Sequence, residues 1–235
     1  MVETDAAFPA NGGRVLPLVS AIMPTYNRPR YVSQAINCFL QQSYSPIELV
    51  ILDGGESIED LIPDDKRIRY FRLPRKLRYG EKLNHCCSLA LGEVICHWDD
   101  DDFSAASRVE EQVGLLLTSH KSMVGYHSAL CFDERSKRVF RYSGIENRAL
   151  GSSLCYLKSY WRENPFLGLQ SGADNYMTQT AASQNCLLSV PGEAQMVFRI
   201  HPGNTSPKFI TGKSYQELPR EALPKEFDCD LYRSR

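Results

Sequence analysis

Four adjacent carboxylates, Asp99 to Asp102, stand directly after the apolar run Val94–Trp98 (VICHW), and this junction constrains the chain more than any other feature. A short apolar run of this kind is a buried strand, and ligands of open α/β sheets bind just outside the carboxyl ends of strands. Side chains alternate in extended backbone, so Asp99 and Asp101 point into one crevice. Carboxylates about 6 Å apart repel by roughly 2–3 kcal/mol at an effective dielectric near 20. A bound divalent cation removes that cost, and hard oxygen ligands favour Mg²⁺ or Mn²⁺, ions that also bridge diphosphates. A solvated acidic loop or an acidic first helical turn would give the same four letters. The strand before the run and the helix start after it (Ala106-Ser107-Arg108-Val109) favour the ligand reading.

Around this junction, strands and helices alternate. Leu16 to Thr25 reads as a buried strand, and Val32, Ala35, Ile36, Phe39 and Leu40 mark one face of an amphipathic helix. Ile47 to Leu52 and Ile68 to Phe71 are further strands, and Leu83, Cys86, Cys87 and Ala90 define a second helix that stops at Gly92. Val109, Val113, Leu116 and Leu117 mark a third. Such alternation implies right-handed βαβ units and a mostly parallel, Rossmann-like sheet flanked by helices. After Lys121 the pattern changes. Met123 to Phe132, Arg138 to Tyr142, Gly151 to Leu157 and Ala194 to Ile200 are strand-like with few helices between them, which predicts antiparallel additions in the C-terminal half; another helix is expected after Asp174. Residues 1–14 are expected to be disordered, 15–211 to form a single domain with halves 15–120 and 121–211, and 212–235 to form a polar tail.

At 235 residues the chain is long enough for this core. A net charge of −1, from 27 basic and 28 acidic residues, leaves no electrostatic footprint for sequence-independent nucleic-acid binding. No apolar run approaches the roughly 20 residues of a membrane helix, and Met1 to Arg14 lacks the basic start and apolar stretch of a signal peptide. A cytoplasmic protein without a membrane span is expected. None of the eight cysteines forms a C-x-x-C pair, and reduced core residues are expected rather than a zinc site or disulfides.

Several motifs occur together and in order: V-S-A-I-M-P-T-Y-N-R, E-L-V-I-L-D-G-G-E, G-E-K-L-N, and G-E-V-I-C-H-W-D-D-D-D-F followed by R-V-E-E-Q-V. This series resembles the family 2 glycosyltransferases, enzymes of the GT-A fold with a D-x-D metal motif. The likeness is close from Pro17 to Val113 and thinner to Lys208, through G-S-S-L-C-Y, S-G-A-D-N and H-P-G-N-T-S-P-K. It implies a GT-A domain whose first half binds a nucleotide-sugar and whose second half binds the acceptor.

Residue by residue, the resemblance implies that Pro24, Thr25, Tyr26, Asn27 and Arg28 surround the nucleotide base, with Tyr26 able to stack on it. A simple turn would read the same way. Asp53 is implied to contact the base or ribose, although the family's second carboxylate is replaced by Gly54. Arg78 and Lys82 are candidates for the diphosphate, and Lys208 lies in a loop able to close over it. Asp99 and Asp101 are the expected metal ligands, Asp99 and Asp100 the ribose contacts, and His201 the nitrogen that completes the metal shell, with Mn²⁺ favoured over Mg²⁺. The family's catalytic base lies in an E-D pair; here it reads Ala173-Asp174, leaving Asp174 as base or as a helix cap.

The resemblance implies a metal-dependent, inverting, hexosyltransferase-like enzyme that moves a sugar from a nucleotide-diphospho-sugar, UDP-linked, to an acceptor hydroxyl. The acceptor could be a glycan, small molecule, peptide or lipid-linked group. Two other readings remain. A sugar nucleotidyltransferase would carry a Gly-rich loop after the first strand, where Met23 to Asn27 has no glycine. A degenerate nucleotide- or glycan-binding domain would explain Gly54 and Ala173.

Overall fold

The structure, a computed structural model, describes residues 15–206, 210 and 212–229. The expectations for residues 1–14 and for Lys208 lie outside these. In chain order the elements are β1 (Val19–Thr25), α1 (Pro29–Leu40), β2 (Ile47–Asp53), β3 (Ile68–Arg72), α2 (Tyr79–Leu89), β4 (Val94–His97), β5 (Phe103–Ser104) and α3 (Arg108–Ser119). There follow β6 (Met123–Asp133), β7 (Arg138–Ser143), β8 (Cys155–Leu157), α4 (Lys158–Glu163), α5 (Ala173–Ser183), β9 (Leu187–Pro191), β10 (Met196–Ile200) and β11 (Tyr215–Leu218).

The main run of the sheet is ordered β11-β7-β6-β8-β4-β1-β2-β3, with β9 and β10 also paired to β6, and β5 paired to β10. From β4 to β3 all pairs are parallel, and the alternating residues of β1 and β2 divide between two cores. Val19, Ala21, Met23, Leu49 and Ile51 share one with Val32, Ile36 and Phe39 of α1 and Val109 and Val113 of α3. Ile22, Val50, Leu52 and Ile95 share the other with Leu83, Cys86 and Cys87 of α2. A strand buried on both faces has no polar side to alternate, which is why β2 is apolar nearly throughout. Pro29 opens α1 with its φ preset for the helix, and His120 ends α3 in the left-handed region.

The second half is built around β6, antiparallel to β7 and β8 and parallel to β9 and β10. Gly151–Ser153 is a 3-10 turn rather than the start of a strand, because the Ser153 hydroxyl donates to Leu150 O at 2.7 Å and accepts the Tyr126 N–H at 2.8 Å. The segment from Gly212 departs from the expected polar tail. β11 pairs antiparallel with β7, and Phe227 packs its ring 5.3 Å from Phe132 and 6.0 Å from Phe103. Six cysteines (38, 86, 87, 96, 131 and 155) are buried, and all eight are free thiols. Among the described residues no helix is long and apolar enough to cross a membrane.

Candidate active site

The carboxyl ends of β1 and β4 open on a cavity of about 520 Å³. Pro24, Thr25, Tyr26 and Arg28 form one wall with Asp99, Asp100 and Asp101; Ser171, Gly172, Asp174 and Asn175 lie on another. The two residue groups singled out in the sequence, 75 positions apart, therefore face one space.

The aspartates are held by the loops after β1 and β10. Thr25 donates its hydroxyl proton to Asp100 Oδ2 at 2.6 Å, and Arg28 Nη1 donates to Asp100 Oδ1 at 2.9 Å and also to Asp101 Oδ2. Asp101 Oδ2 meets two further groups, His201 Nε2 at 3.0 Å and Asn204 Nδ2 at 3.2 Å. Asp102 Oδ1 accepts the Arg199 N–H of β10 at 3.0 Å. Burial, then the Asp101 charge, pushes the Asp100 carboxyl above its usual range, against Arg28 and Thr25. The donor set fits a hard divalent cation: carboxylate oxygens of Asp99, Asp101 and Asp102 lie within 4.8 Å of one another. The Arg28 guanidinium supplies positive charge to the same carboxylates, and its Nη2 reaches Thr205 Oγ1 at 2.8 Å. His201 is stacked on Tyr31 with ring centroids 4.4 Å apart. Its Nδ1 accepts the Gly203 N–H at 3.1 Å, which leaves Nε2 to carry the ring proton toward Asp101. Ligation of a metal through Nε2 therefore requires the proton to move to Nδ1.

Three residues expected to touch the nucleotide are not among those that line the cavity. Asp53 is fully buried; its Oδ1 accepts the Gly55 N–H and its Oδ2 the Tyr70 hydroxyl, each at 2.8 Å. Asn27, at φ 53°, accepts the Glu56 N–H at 2.8 Å, and Gly55 packs so close that a Cβ there would lie 2.2 Å from Asn27 Oδ1. Arg78 is exposed and donates to Gly168 O at 3.2 Å, away from the cavity. Lys82 does line the cavity. Its Nζ donates to Thr25 O at 3.0 Å and lies 5.2 Å from the Tyr26 ring centre, and burial lowers its pKa. It also takes the space of the missing second carboxylate, since a Cβ on Gly54 would lie 3.2 Å from Lys82 Nζ.

On the opposite wall, α5 begins at Ala173, two residues before its expected start, so Asp174 lies in the first turn rather than at the cap. Asp174 Oδ1 accepts the Asn175 N–H at 2.9 Å. Ala173 is wholly buried against Gly80, whose added Cβ would come within 3.0 Å of it, so a larger acid does not fit there. Sequence reasoning missed Tyr79, whose phenol is pushed well up by burial and by the surrounding charges of Asp99, Asp174, Asp101 and Asp100. Tyr79 lines the cavity within electrostatic reach of both carboxylate groups. His127, Tyr142, Arg148 and Tyr215 line the remaining wall. Tyr156, Tyr160 and Trp161, by contrast, are core or near-core residues.

Residues 20–185 match the family model described as "Glycosyl transferase family 2". An uncharacterized glycosyltransferase of Haemophilus influenzae is 36% identical over 122 residues, 49% of each chain. The putative glycosyltransferase EpsE of Bacillus subtilis is 34% identical over 132 residues, 53% of this chain and 48% of its own. The chain thus spans about half the length of these curated relatives. Among solved structures, S. aureus TarS 1-349 in complex with UDP-GlcNAc superposes with TM-score 0.65 at 16% identity, over 82% of this chain and 61% of its own. Mannosyltransferase PcManGT from Pyrobaculum calidifontis, in complex with GDP-Man and Mn2+, gives 0.63 at 18% identity, over 81% and 59%. The fold is that of these GT-A enzymes, and with the family match running from the first strand through α5, the chain belongs to glycosyl transferase family 2.

Proposed function

We propose that this cavity binds a nucleotide-diphospho-sugar, UDP-linked, and transfers its sugar to an acceptor hydroxyl with inversion. The observation that carries the reading is the single cavity lined by Pro24–Tyr26 and Asp99–Asp101 on one side and Asp174 on the other. The bound ligands of the two fold neighbours, UDP-GlcNAc in one and GDP-Man with Mn2+ in the other, support it. Tyr26 stacks on the base, Thr25 and Arg28 hold Asp100 toward the ribose, and Lys82 faces the nucleotide. Asp99 and Asp101 hold Mn²⁺ or Mg²⁺, with His201 as the nitrogen candidate. When bound, such a cation supplies charge stabilisation to the departing diphosphate. Asp174 accepts the proton of the acceptor hydroxyl as its oxygen bonds to the anomeric carbon and the nucleoside diphosphate leaves in line. The test is calorimetric titration with UDP, GDP, CDP and dTDP, each with and without Mn²⁺. Manganese-dependent binding, strongest for UDP and weakened at least about tenfold by Asp101→Asn, is expected. Binding of none of them, or binding indifferent to Asp101, overturns the reading.

A further inference from the structure

Gly151 begins the turn that leads into β8, on the cavity wall beside Asp174. A Cβ built on it would lie 1.6 Å from Asp174 Oδ2, 2.5 Å from Asp174 Cγ and 2.7 Å from Asp174 Cβ. The whole Asp174 side chain, not only its tip, therefore rests on the Gly151 α-carbon. Gly151 is not among the left-handed residues of this chain, so backbone freedom does not explain a glycine here. Space does.

The turn beneath Asp174 is itself clamped. Arg108, 1% exposed, donates from Nη2 to Ser152 O and to His97 O, each at 2.9 Å, and from Nη1 to Ser104 Oγ at 2.8 Å. Gln112 Nε2, one turn further along α3, donates to Ser153 O at 2.6 Å. The His97 N–H reaches Leu154 O at 2.8 Å. One buried guanidinium thus ties the turn to the end of β4, the strand that carries Asp99 to Asp101. Hydrogen bonds to a buried charged donor are the strong ones, so this frame is stiff.

We propose that Gly151 is a positioning residue for Asp174: its bare α-carbon, held by Arg108 and Gln112 to the strand of the aspartate run, sets where the base stands relative to the donor. This rests on the reading of Asp174 as base. Any side chain at 151 would turn the carboxylate away or lift the first turn of α5.

Two double-mutant cycles test it. In the first, thermal unfolding is measured for Gly151→Ala alone and in the Asp174→Gly background. The alanine should lower the midpoint by several degrees in the native background and leave it within about one degree in the other. A loss of equal size in both means that Asp174 is not what the methyl meets, and overturns the proposal. In the second, UDP release from UDP-GlcNAc is followed with Mn²⁺ and water as acceptor. Gly151→Ala should cut kcat at least tenfold with the KM for UDP-GlcNAc within twofold, and should cause no further loss in an Asp174→Asn background. Losses that multiply overturn the positioning role, as does a wild-type kcat for Gly151→Ala when Asp174→Asn is impaired. Full turnover by Asp174→Asn overturns the base reading as well.

Discussion

Asp174 is the residue on which the transfer chemistry turns, and its two possible duties separate cleanly. In the first turn of α5 its charge favours the helix by roughly 0.3–1 kcal/mol through the macrodipole, and it accepts the neighbouring Asn175 N–H. Asp174→Asn keeps the shape and an acceptor oxygen but cannot take a proton. It should leave nucleotide affinity within about twofold and lower kcat by roughly 10²–10⁴-fold, the usual weight of general base catalysis. Steady-state release of UDP against calorimetric binding of UDP measures both, and a kcat within tenfold of the native protein would leave Asp174 a helix-terminal residue only. Which individual residues were legible follows from their surroundings. The aspartate run was, because four adjacent carboxylates at a strand end repel one another and have few structural uses. Asp53 and Asn27 were less so: each sits in a motif that reads as ligand-binding, yet Asp53 accepts from the Gly55 N–H and the Tyr70 hydroxyl, and Asn27 Oδ1 accepts from the Glu56 N–H. Local hydrogen bonding of Asx residues to nearby backbone competes with ligand contact, and spacing alone does not tell the two apart.

At the scale of elements, the first half of the fold could be read from the sequence because its signals are local. Both the one-face periodicity of α1 and the two-sided apolarity of β2 arise within a dozen residues. The second half depends on pairings across long separations, such as β10 beside β6, which no local pattern encodes. β11 shows the cost of this. Its sequence, YQEL, is polar because it covers an edge, and its partner β7 lies over 70 residues earlier. The neighbouring Phe227 is the anchor: only 6% exposed, it sits among Phe103 and Phe132, with the Arg199 guanidinium 4.6 Å from its ring centre. Arg199 Nη2 also donates to Asp228 O at 2.8 Å. Phe227→Ala should therefore destabilise by about 3–5 kcal/mol, the range for emptying a core aromatic site. Urea unfolding checks this, and a change below about 1 kcal/mol would mean that residues 212–229 contribute little to the stability of the domain.

Across the whole molecule, two buried groups near the end of β4 contribute to acid stability with opposite signs. Burial depresses His97 to about 3; the Gly151 backbone opposes this and the Arg108 charge adds to it. The unfolded chain takes up this proton near pH 6.5, whereas the folded protein refuses it until far lower pH. The contribution of His97 is therefore complete above about pH 6.5 and is lost as the pH falls toward 3, roughly 4–5 kcal/mol in all. Asp100 behaves in reverse. Its carboxyl is held above the usual range, so the folded protein keeps a proton that the unfolded chain releases, and stability declines as pH rises out of that range. Between about pH 4 and 6.5 the two slopes oppose, each limited to about 1.4 kcal/mol per pH unit by a single proton. Substitution separates them. In metal-free buffer, Asp100→Asn should leave the His97 slope, making stability fall by about 1 kcal/mol per unit as acid is added. His97→Gln should tilt the profile the other way, toward greater stability in acid, relative to the native protein. Urea midpoints of the three proteins at several pH values in this window decide it, since titrating groups remote from the two sites cancel in the comparison. If Asp100→Asn follows the native profile, the Asp100 carboxylate is ionised in the folded protein throughout, and the charges of Arg28 and the Thr25 hydroxyl outweigh its burial. Such a result would also mean that Asp100 keeps its negative charge beside the candidate metal ligands in mild acid.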